Sequence, residues 1–248
     1  FGGPANIATD FDGALANLRM ACAAALGSDD FAALTDIRCV MGLAGANLSG
    51  AGPRIAAAFP FPTRVVQDVT TSVRGALHLS DGIVAAIGTG SVFARQIGGQ
   101  ITVSGGWGLR IGDEASGAWL GRALAIRATR ALDGRVPITP LLRDITQELG
   151  GAAGLMQMGQ TATPAEWARL APRLLDKDDP AAQAILDLAR NELRAAIAHL
   201  QPDPPLPVTW LGGLGQHLAL EDWPQNPPLG TALDGAVWMA QQDDTWND

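Results

Sequence analysis

Three clusters of glycine, each following a short apolar run, are the positions best suited to chemistry in this chain. They are Gly42-Leu43-Ala44-Gly45-Ala46, Gly88-Thr89-Gly90-Ser91 and Gly212-Gly213-Leu214-Gly215. A glycine turn at a strand end carries no Cβ, so its backbone N–H groups can come within roughly 3 Å of a phosphate oxygen. Thr89 and Ser91 add hydroxyl donors to the second cluster. Each cluster taken alone also reads as an ordinary tight turn, the commoner use of glycine. None matches the Walker pattern or the G-x-G-x-x-G fingerprint.

Two further stretches carry acids. Asp68, in Val65-Val66-Gln67-Asp68-Val69, is expected at the C-terminal end of a buried strand, where α/β folds place ligand contacts. A carboxylate there can accept a proton from a substrate hydroxyl. It can equally cap a helix beginning at Thr70 or Thr71. The densest stretch runs from Gly105 to Gly117 and holds five glycines, Trp107, Asp113 and Glu114. The two acids are expected to open a helix, whose dipole they would complement. The stretch also suits a sugar, with carboxylates for hydroxyl contacts and glycines for close backbone approach. Asp113 and Glu114 together can hold Mg²⁺ through water.

Other chemistry-bearing residues point to structure. His78, His199 and His217 lie far apart and match no metal spacing. Cys22 and Cys39 are the only cysteines, expected as core thiols. Two cannot make a disulfide framework, a four-cysteine zinc site or an iron–sulfur cage, and a reducing cytoplasm is the natural setting. Trp119 and Trp238 fall in helical patterns and read as packing.

The frame that positions these residues follows from composition and pattern. The chain has 248 residues, enough for one large domain or two small lobes. Hydrophobic residues make up 47% and charged residues 17%, which excludes a disordered chain. Seventeen basic residues stand against 25 acidic ones, a net charge of −8, and Lys177 is the one lysine. No basic face for nucleic acid is visible. No apolar run reaches the ~18 residues of a membrane span, and no signal peptide opens the chain.

The apolar spacing Phe11, Ala14, Leu15, Leu18, Cys22 predicts a helix after a cap at Thr9 or Asp10, ending near Gly27. Strands are expected at 37–43 and 64–69, with a short helix at 53–59 and another at 71–79. Short strands at 82–87, 91–97 and 100–103, broken by Gly88–Gly90 and Gly98-Gly99, read as a meander. Helices dominate from Ala115 to about Leu200, the last of them 181–200. A buried strand follows at 208–211, then a proline-bearing loop and a final helix starting around Thr231–Gly235. The mixture is α/β with a meander inside the sheet.

The motifs resemble a known family. A strand ending in Ile87-Gly88-Thr89-Gly90-Ser91, followed by Gly105-Gly106-Trp107-Gly108 and by Gly112-Asp113-Glu114, Ser116-Gly117 and Trp119-Leu120-Gly121, looks like the BadF/BadG/BcrA/BcrD-type ATPases, and within them the N-acetylglucosamine kinases. These belong to the actin-like, hexokinase-like, Hsp70-like superfamily. Val208–Gly215 resembles the family's adenosine motif, and Ala232–Ala236 its final helix start.

The resemblance implies a two-lobed, ribonuclease H-like α/β fold. Residues 1–80 and 236–248 would form the N-terminal lobe, and 81–235 the C-terminal lobe. It implies ATP and Mg²⁺ as cofactors and phosphorylation of the 6-hydroxyl of N-acetyl-D-glucosamine. Asp68 falls on the catalytic base. Gly88, Thr89, Gly90 and Ser91 fall on the second phosphate loop. Asn6, Gly106, Asp113 and Glu114 fall on the sugar-binding stretches, and Gly212, Gly213 and Gly215 lie against the nucleotide. The family's first phosphate loop, D-G-G-G-T, has no counterpart after Phe1, so the first strands of the N-terminal lobe are expected to be missing. A glucosamine kinase, a non-catalytic amino-sugar sensor and a dehydratase activase are the alternative readings. The activase would need cluster-bridging cysteines, which Cys22 and Cys39 do not suit. A cytoplasmic homodimer without nucleic-acid or membrane partners completes the expectation.

Overall fold

The computed structural model describes residues 5, 7, 10–46, 50–175 and 178–242. In chain order the elements are α1 (Phe11–Leu26), β1 (Cys39–Leu43), α2 (Ala51–Ala56), β2 (Thr63–Gln67), α3 (Asp68–Leu77), β3 (Gly82–Ile87), β4 (Ser91–Ile97), β5 (Gln100–Gly105), α4 (Gly117–Leu132), α5 (Pro140–Glu148), α6 (Gly151–Thr161), α7 (Pro164–Ala168), α8 (Pro180–Leu200), β6 (Val208–Leu211), α9 (Gly215–Leu218) and α10 (Ala232–Gln241). Short 3₁₀ turns stand at Phe31–Ala33 and Ala171–Arg173. Two compact units result. The first holds 1–81, 96–101 and 228–248, and the second holds 82–95 and 102–227. The tip of the β4–β5 hairpin and residues 228–235 thus group with the N-terminal segment.

The first unit is built on a two-stranded parallel sheet in which Cys39 faces Thr63 and Leu43 faces Gln67. Period-two alternation sends Cys39, Met41 and Leu43 to one side, against Phe31, Ile55, Phe59, Phe61 and the inner face of α1. Asp10 caps α1 by accepting the Gly13 N–H at 3.0 Å, and Gly27 ends it with φ of 69°. On the other side α3 lies on β1, with Gly42 against the Thr71 hydroxyl. α10 then crosses α3 where both helices carry glycine. A Cβ on Gly75 would collide with the Thr231 carbonyl, and one on Gly235 with that of Thr71. Thr231 and Asp234 form a capping box that starts α10.

Several boundaries depart from the sequence reading. β2 stops at Gln67, and Asp68 is the first residue of α3, because Val69 and Val73 take helical burial on the sheet. α2 starts two residues before Pro53 from a left-handed Gly50 and ends before Phe59, which joins an aromatic cluster with Phe31 and Phe61. Arg74 of α3 reaches the hairpin tip. It donates to Gln96 Oε1 at 2.7 Å and to the Gly99 carbonyl at 2.7 Å, while fully buried Gln96 donates to the carbonyls of His78 and Ser80.

The second unit carries a four-stranded sheet in the order β5-β4-β3-β6, with β3 and β6 parallel and Ile83 facing Val208. Ile83, Ala85, Ile87, Val208 and Trp210 point to a core completed by Leu120 and Leu124 of α4, Leu142 and Ile145 of α5, and Ile185, Leu193 and Ile197 of α8. The helix starts are chemically marked. Ser116 caps α4, Thr139 with Pro140 starts α5, and Asp179 with Pro180 starts α8. Among the described residues no helix is long and apolar enough to cross a membrane.

Candidate active site

The glycine turn 88–90 links β3 to β4, so its backbone is fixed by two paired strands. Its Gly88 N–H donates to the Gly90 carbonyl at 2.9 Å. Its outward carbonyls anchor the start of α4, where Gly117 N–H donates to Gly88 O at 2.8 Å and Ala118 N–H to Thr89 O at 3.1 Å. The first amides of α4 are therefore used by the turn, while the N–H groups of Thr89 and Gly90 make no hydrogen bond among the described residues. Nothing lies within 4 Å of a Cβ position on Gly88.

The second turn meets the first. β6 pairs with β3, and the chain leaves β6 through Gly212 at φ of +82°. Only glycine fits there, because a Cβ would collide with the Ile87 carbonyl and come within 3.2 Å of the Gly88 nitrogen. Leu214 N–H donates to the same Ile87 carbonyl at 3.1 Å. Gly212 and Gly213 are exposed and Gly215 is buried against Trp210. Gly213 has open space at its Cβ position, and its N–H makes no hydrogen bond among the described residues.

The Gly105–Gly117 stretch closes the group on the β4 side. Gly105, Gly106 and Gly108 have φ of +81°, +74° and +83°, and Gly106 N–H donates to Ser91 O at 3.1 Å. Asp113 does not open a helix as expected. It precedes α4 in the left-handed region (φ 57°), as does Ala115 (φ 61°), and Ser116 takes the capping role. Such conformations in non-glycine residues cost of order 1–3 kcal/mol and gather at functional sites.

The Asp113 carboxylate is buried and accepts the Gly108 N–H at 3.1 Å. A Cβ on Gly90 would lie 2.8 Å from its second oxygen. Burial raises its pKa above the usual carboxylate value, against the lowering pull of the Gly108 and Ser91 amides. The Ser91 hydroxyl donates to Glu114 O at 2.7 Å, so Glu114 contributes its backbone here while its side chain is exposed.

The structure thus brings together Gly88, Thr89, Gly90, Ser91, Gly106, Asp113, Glu114, Gly212, Gly213 and Gly215 in the second unit. Asp68 belongs to the first unit and is exposed at the start of α3. Its Oδ1 accepts its neighbour Val69 N–H at 2.9 Å, and its carbonyl accepts the hydroxyls of Thr71 and Ser72. Asn6 lies outside the described residues. The glycine turn at 42–46 belongs to the first unit and supports α3 through Gly42. His78 stacks on Trp238 at 5.2 Å, and His199 and His217 are exposed. Left-handed Ala115 escaped the sequence reading, since alanine carries no signal of a positive φ.

Among the described residues no group of three or more His, Cys, Asp or Glu side chains is placed to hold a metal ion. Mg²⁺ commonly rides on nucleotide phosphates with one or two carboxylates and its own waters. The free amides of Thr89, Gly90 and Gly213 and the open space beside Gly88 fit a phosphate tail.

In the second unit two glycine turns meet at the end of one sheet, and comparison with known structures identifies the α/β fold as that of the actin-like sugar kinases. A candidate N-acetylglucosamine kinase from Chromobacterium violaceum is 32% identical, with 97% of this chain and 89% of that one covered at a TM-score of 0.83. The chain belongs to the sugar-kinase family of which that protein is a member. A candidate N-acetylglucosamine kinase from Porphyromonas gingivalis (22% identity, 96% and 88% covered, TM-score 0.72) shares the fold. So does a ROK family glucokinase from Streptomyces griseus solved with glucose and AMPPNP (17% identity, 96% and 88% covered, TM-score 0.55). The N-acetylmuramic acid/N-acetylglucosamine kinase of Clostridium acetobutylicum is 38% identical over 82 residues, which is 33% of this chain and 27% of that protein. No protein-family model matches the chain.

Proposed function

We propose that the protein transfers the γ-phosphoryl group of ATP to the 6-hydroxyl of N-acetyl-D-glucosamine, within the BadF/BadG/BcrA/BcrD-type branch of the sugar kinases. The observation that carries this reading is the meeting of three chain-distant segments: Gly212 against Ile87, and Asp113 against Gly90. The β3–β4 turn then carries amides without hydrogen bonds among the described residues, beside a buried carboxylate.

Phosphoryl transfer needs little covalent help from a protein, so positioning and charge stabilisation dominate. The N–H groups of Thr89, Gly90 and Gly213 bind phosphate oxygens. The Asp113 carboxylate and the Gly106 backbone orient the sugar. Asp68, whose Oδ1 accepts the Val69 N–H, is the carboxylate assigned in this reading to take the hydroxyl proton. Mg²⁺, bound with ATP, supplies neutralisation of charge on the phosphoryl oxygens. A cytoplasmic homodimer acting on an amino sugar, with no nucleic-acid partner, belongs to the same reading.

The test is product identification. Incubation of the full-length protein with ATP, Mg²⁺ and N-acetylglucosamine is expected to give a sugar phosphate whose phosphorus couples to the C6 protons in NMR. Phosphate at C1, or no sugar phosphate, contradicts the proposal. Free glucosamine and N-acetylmuramic acid as rival acceptors separate the finer substrate choices.

A further inference from the structure

Arg74 has no place in the site described above, yet three hydrogen bonds fix its guanidinium. From the last turn of α3 its Nη1 donates to Gln96 Oε1 at 2.7 Å and to His78 O at 3.2 Å, and its Nη2 donates to Gly99 O at 2.7 Å. All three acceptors are neutral, so charge pairing does not explain the arrangement. Gln96 is fully buried and its amide has one orientation to take. Its Oε1 faces Arg74, while its Nε2 donates to His78 O at 3.0 Å and to Ser80 O at 2.7 Å. Asp81 Oδ1 accepts the Gly98 N–H at 2.8 Å and fastens the same hairpin tip. Charge-assisted bonds of this kind are strong, and the planar fork of arginine sets direction as an ammonium does not.

The clamp joins two elements that each carry residues of the kinase reading. α3 begins at Asp68 and holds Arg74 one turn from its end. The hairpin begins at Ser91, beside the glycine turn, and ends at Gly105, where the Asp113 loop starts. Its tip, 96–101, groups with α3 in the first unit, and the rest of it belongs to the second. The crossing of α3 with α10 rests on Gly75 and Gly235, which set the helix spacing but offer no side chains to interlock. Directional fixing of α3 is left to Arg74. We propose that Arg74 is a positioning residue for phosphoryl transfer: its grip on Gln96 and Gly99 sets the register of α3, and with it Asp68, against the hairpin that leads to Ser91 and Gly105. This rests on the kinase reading and adds to it a residue that touches neither ATP nor sugar. A displacement of about 1 Å at a reacting group costs about 10²-fold in rate, even when its cause is remote. The loss falls on kcat, because Gly88–Ser91, Gly213 and Asp113 belong to the second unit and keep their own contacts.

The test is steady-state kinetics on the full-length protein. Arg74→Ala is expected to lower kcat by about 10²-fold, while KM for ATP and for N-acetylglucosamine stays within about threefold of wild type. Millimolar guanidinium chloride is expected to restore part of that kcat, and sodium chloride at the same ionic strength is not. Arg74→Lys keeps the charge without the fork and is expected to lose kcat by about tenfold. It decides the question should Arg74→Ala fail to fold, as judged by ATP binding. A kcat within about threefold of wild type in either folded variant, a loss confined to KM, or an Arg74→Ala enzyme that guanidinium does not restore would each overturn the role of Arg74. Wild-type protein that phosphorylates no sugar overturns the kinase reading and this role with it, whereas an active wild type with unimpaired variants overturns the role alone.

Discussion

Gly212 packs directly on the Ile87 carbonyl, and this contact joins the end of β6 to the β3–β4 turn. Gly212→Ala sets a Cβ into that carbonyl at φ of +82° and is expected to cost about 2 kcal/mol in a urea titration. Gly213→Ala adds the same methyl where nothing lies within 4 Å. It is expected to change stability by less than about 0.5 kcal/mol and to weaken nucleotide binding, because the methyl enters the space that the proposed function gives to phosphate. Equal stability losses from the two variants would contradict this division.

Asp68 stands at the start of α3, where its Oδ1 accepts the Val69 N–H and its Oδ2 accepts no hydrogen bond among the described residues. Asp68→Asn keeps an acceptor for Val69 N–H but removes the proposed base. Turnover is expected to fall by about 10²–10⁴ with the melting temperature unchanged within a few degrees. Near-wild-type turnover in steady-state assays would remove Asp68 from the proposed role.

Gly75 illustrates a packing constraint outside the site. On a free helix Gly→Ala gains about 1 kcal/mol of propensity. On α3 the new Cβ meets the Thr231 carbonyl of α10, so Gly75→Ala is expected to destabilise by about 2 kcal/mol or more. A stabilised variant in thermal denaturation would show that the α3–α10 crossing yields.

Asp179 links stability to pH. Burial raises its carboxyl, but the amides of Leu141 and Ala181, the Thr139 hydroxyl and the Ala182 amide outweigh it and hold the group below the usual carboxylate value. A depressed folded-state pKa contributes stability that is present above the unfolded value and lost as pH falls through the folded one. Asp179→Asn is therefore expected to cost about 1–2 kcal/mol at pH 6, with the gap to wild type closing below roughly pH 4. A gap constant down to pH 2 would contradict the assignment.

The α/β class, the meander and the long helix α8 were legible because hydrophobic periodicity and caps agree there: Asp10 and Gly27 bracket α1 as their residue types dictate. Misplaced boundaries share a cause. At Asp68 the apolar run Val65–Val69 continues across a strand-to-helix change, so local pattern has no way to mark where β2 ends. At Asp113 the acids looked like a helix start, but Ser116 caps α4 and the Asp113 carboxylate accepts the Gly108 N–H. The convergence of Gly88–Ser91 with Gly212–Gly215 depends on β3 pairing with β6, a long-range contact invisible to any window of sequence.

The central claim is ATP-dependent phosphorylation of an amino sugar, and a coupled ADP-release screen over hexoses and amino sugars tests it most directly. With full-length protein the account predicts ADP release that depends on N-acetylglucosamine and is abolished in Asp113→Ala. Release that is independent of sugar, or supported by glucose and not by any amino sugar, would contradict it.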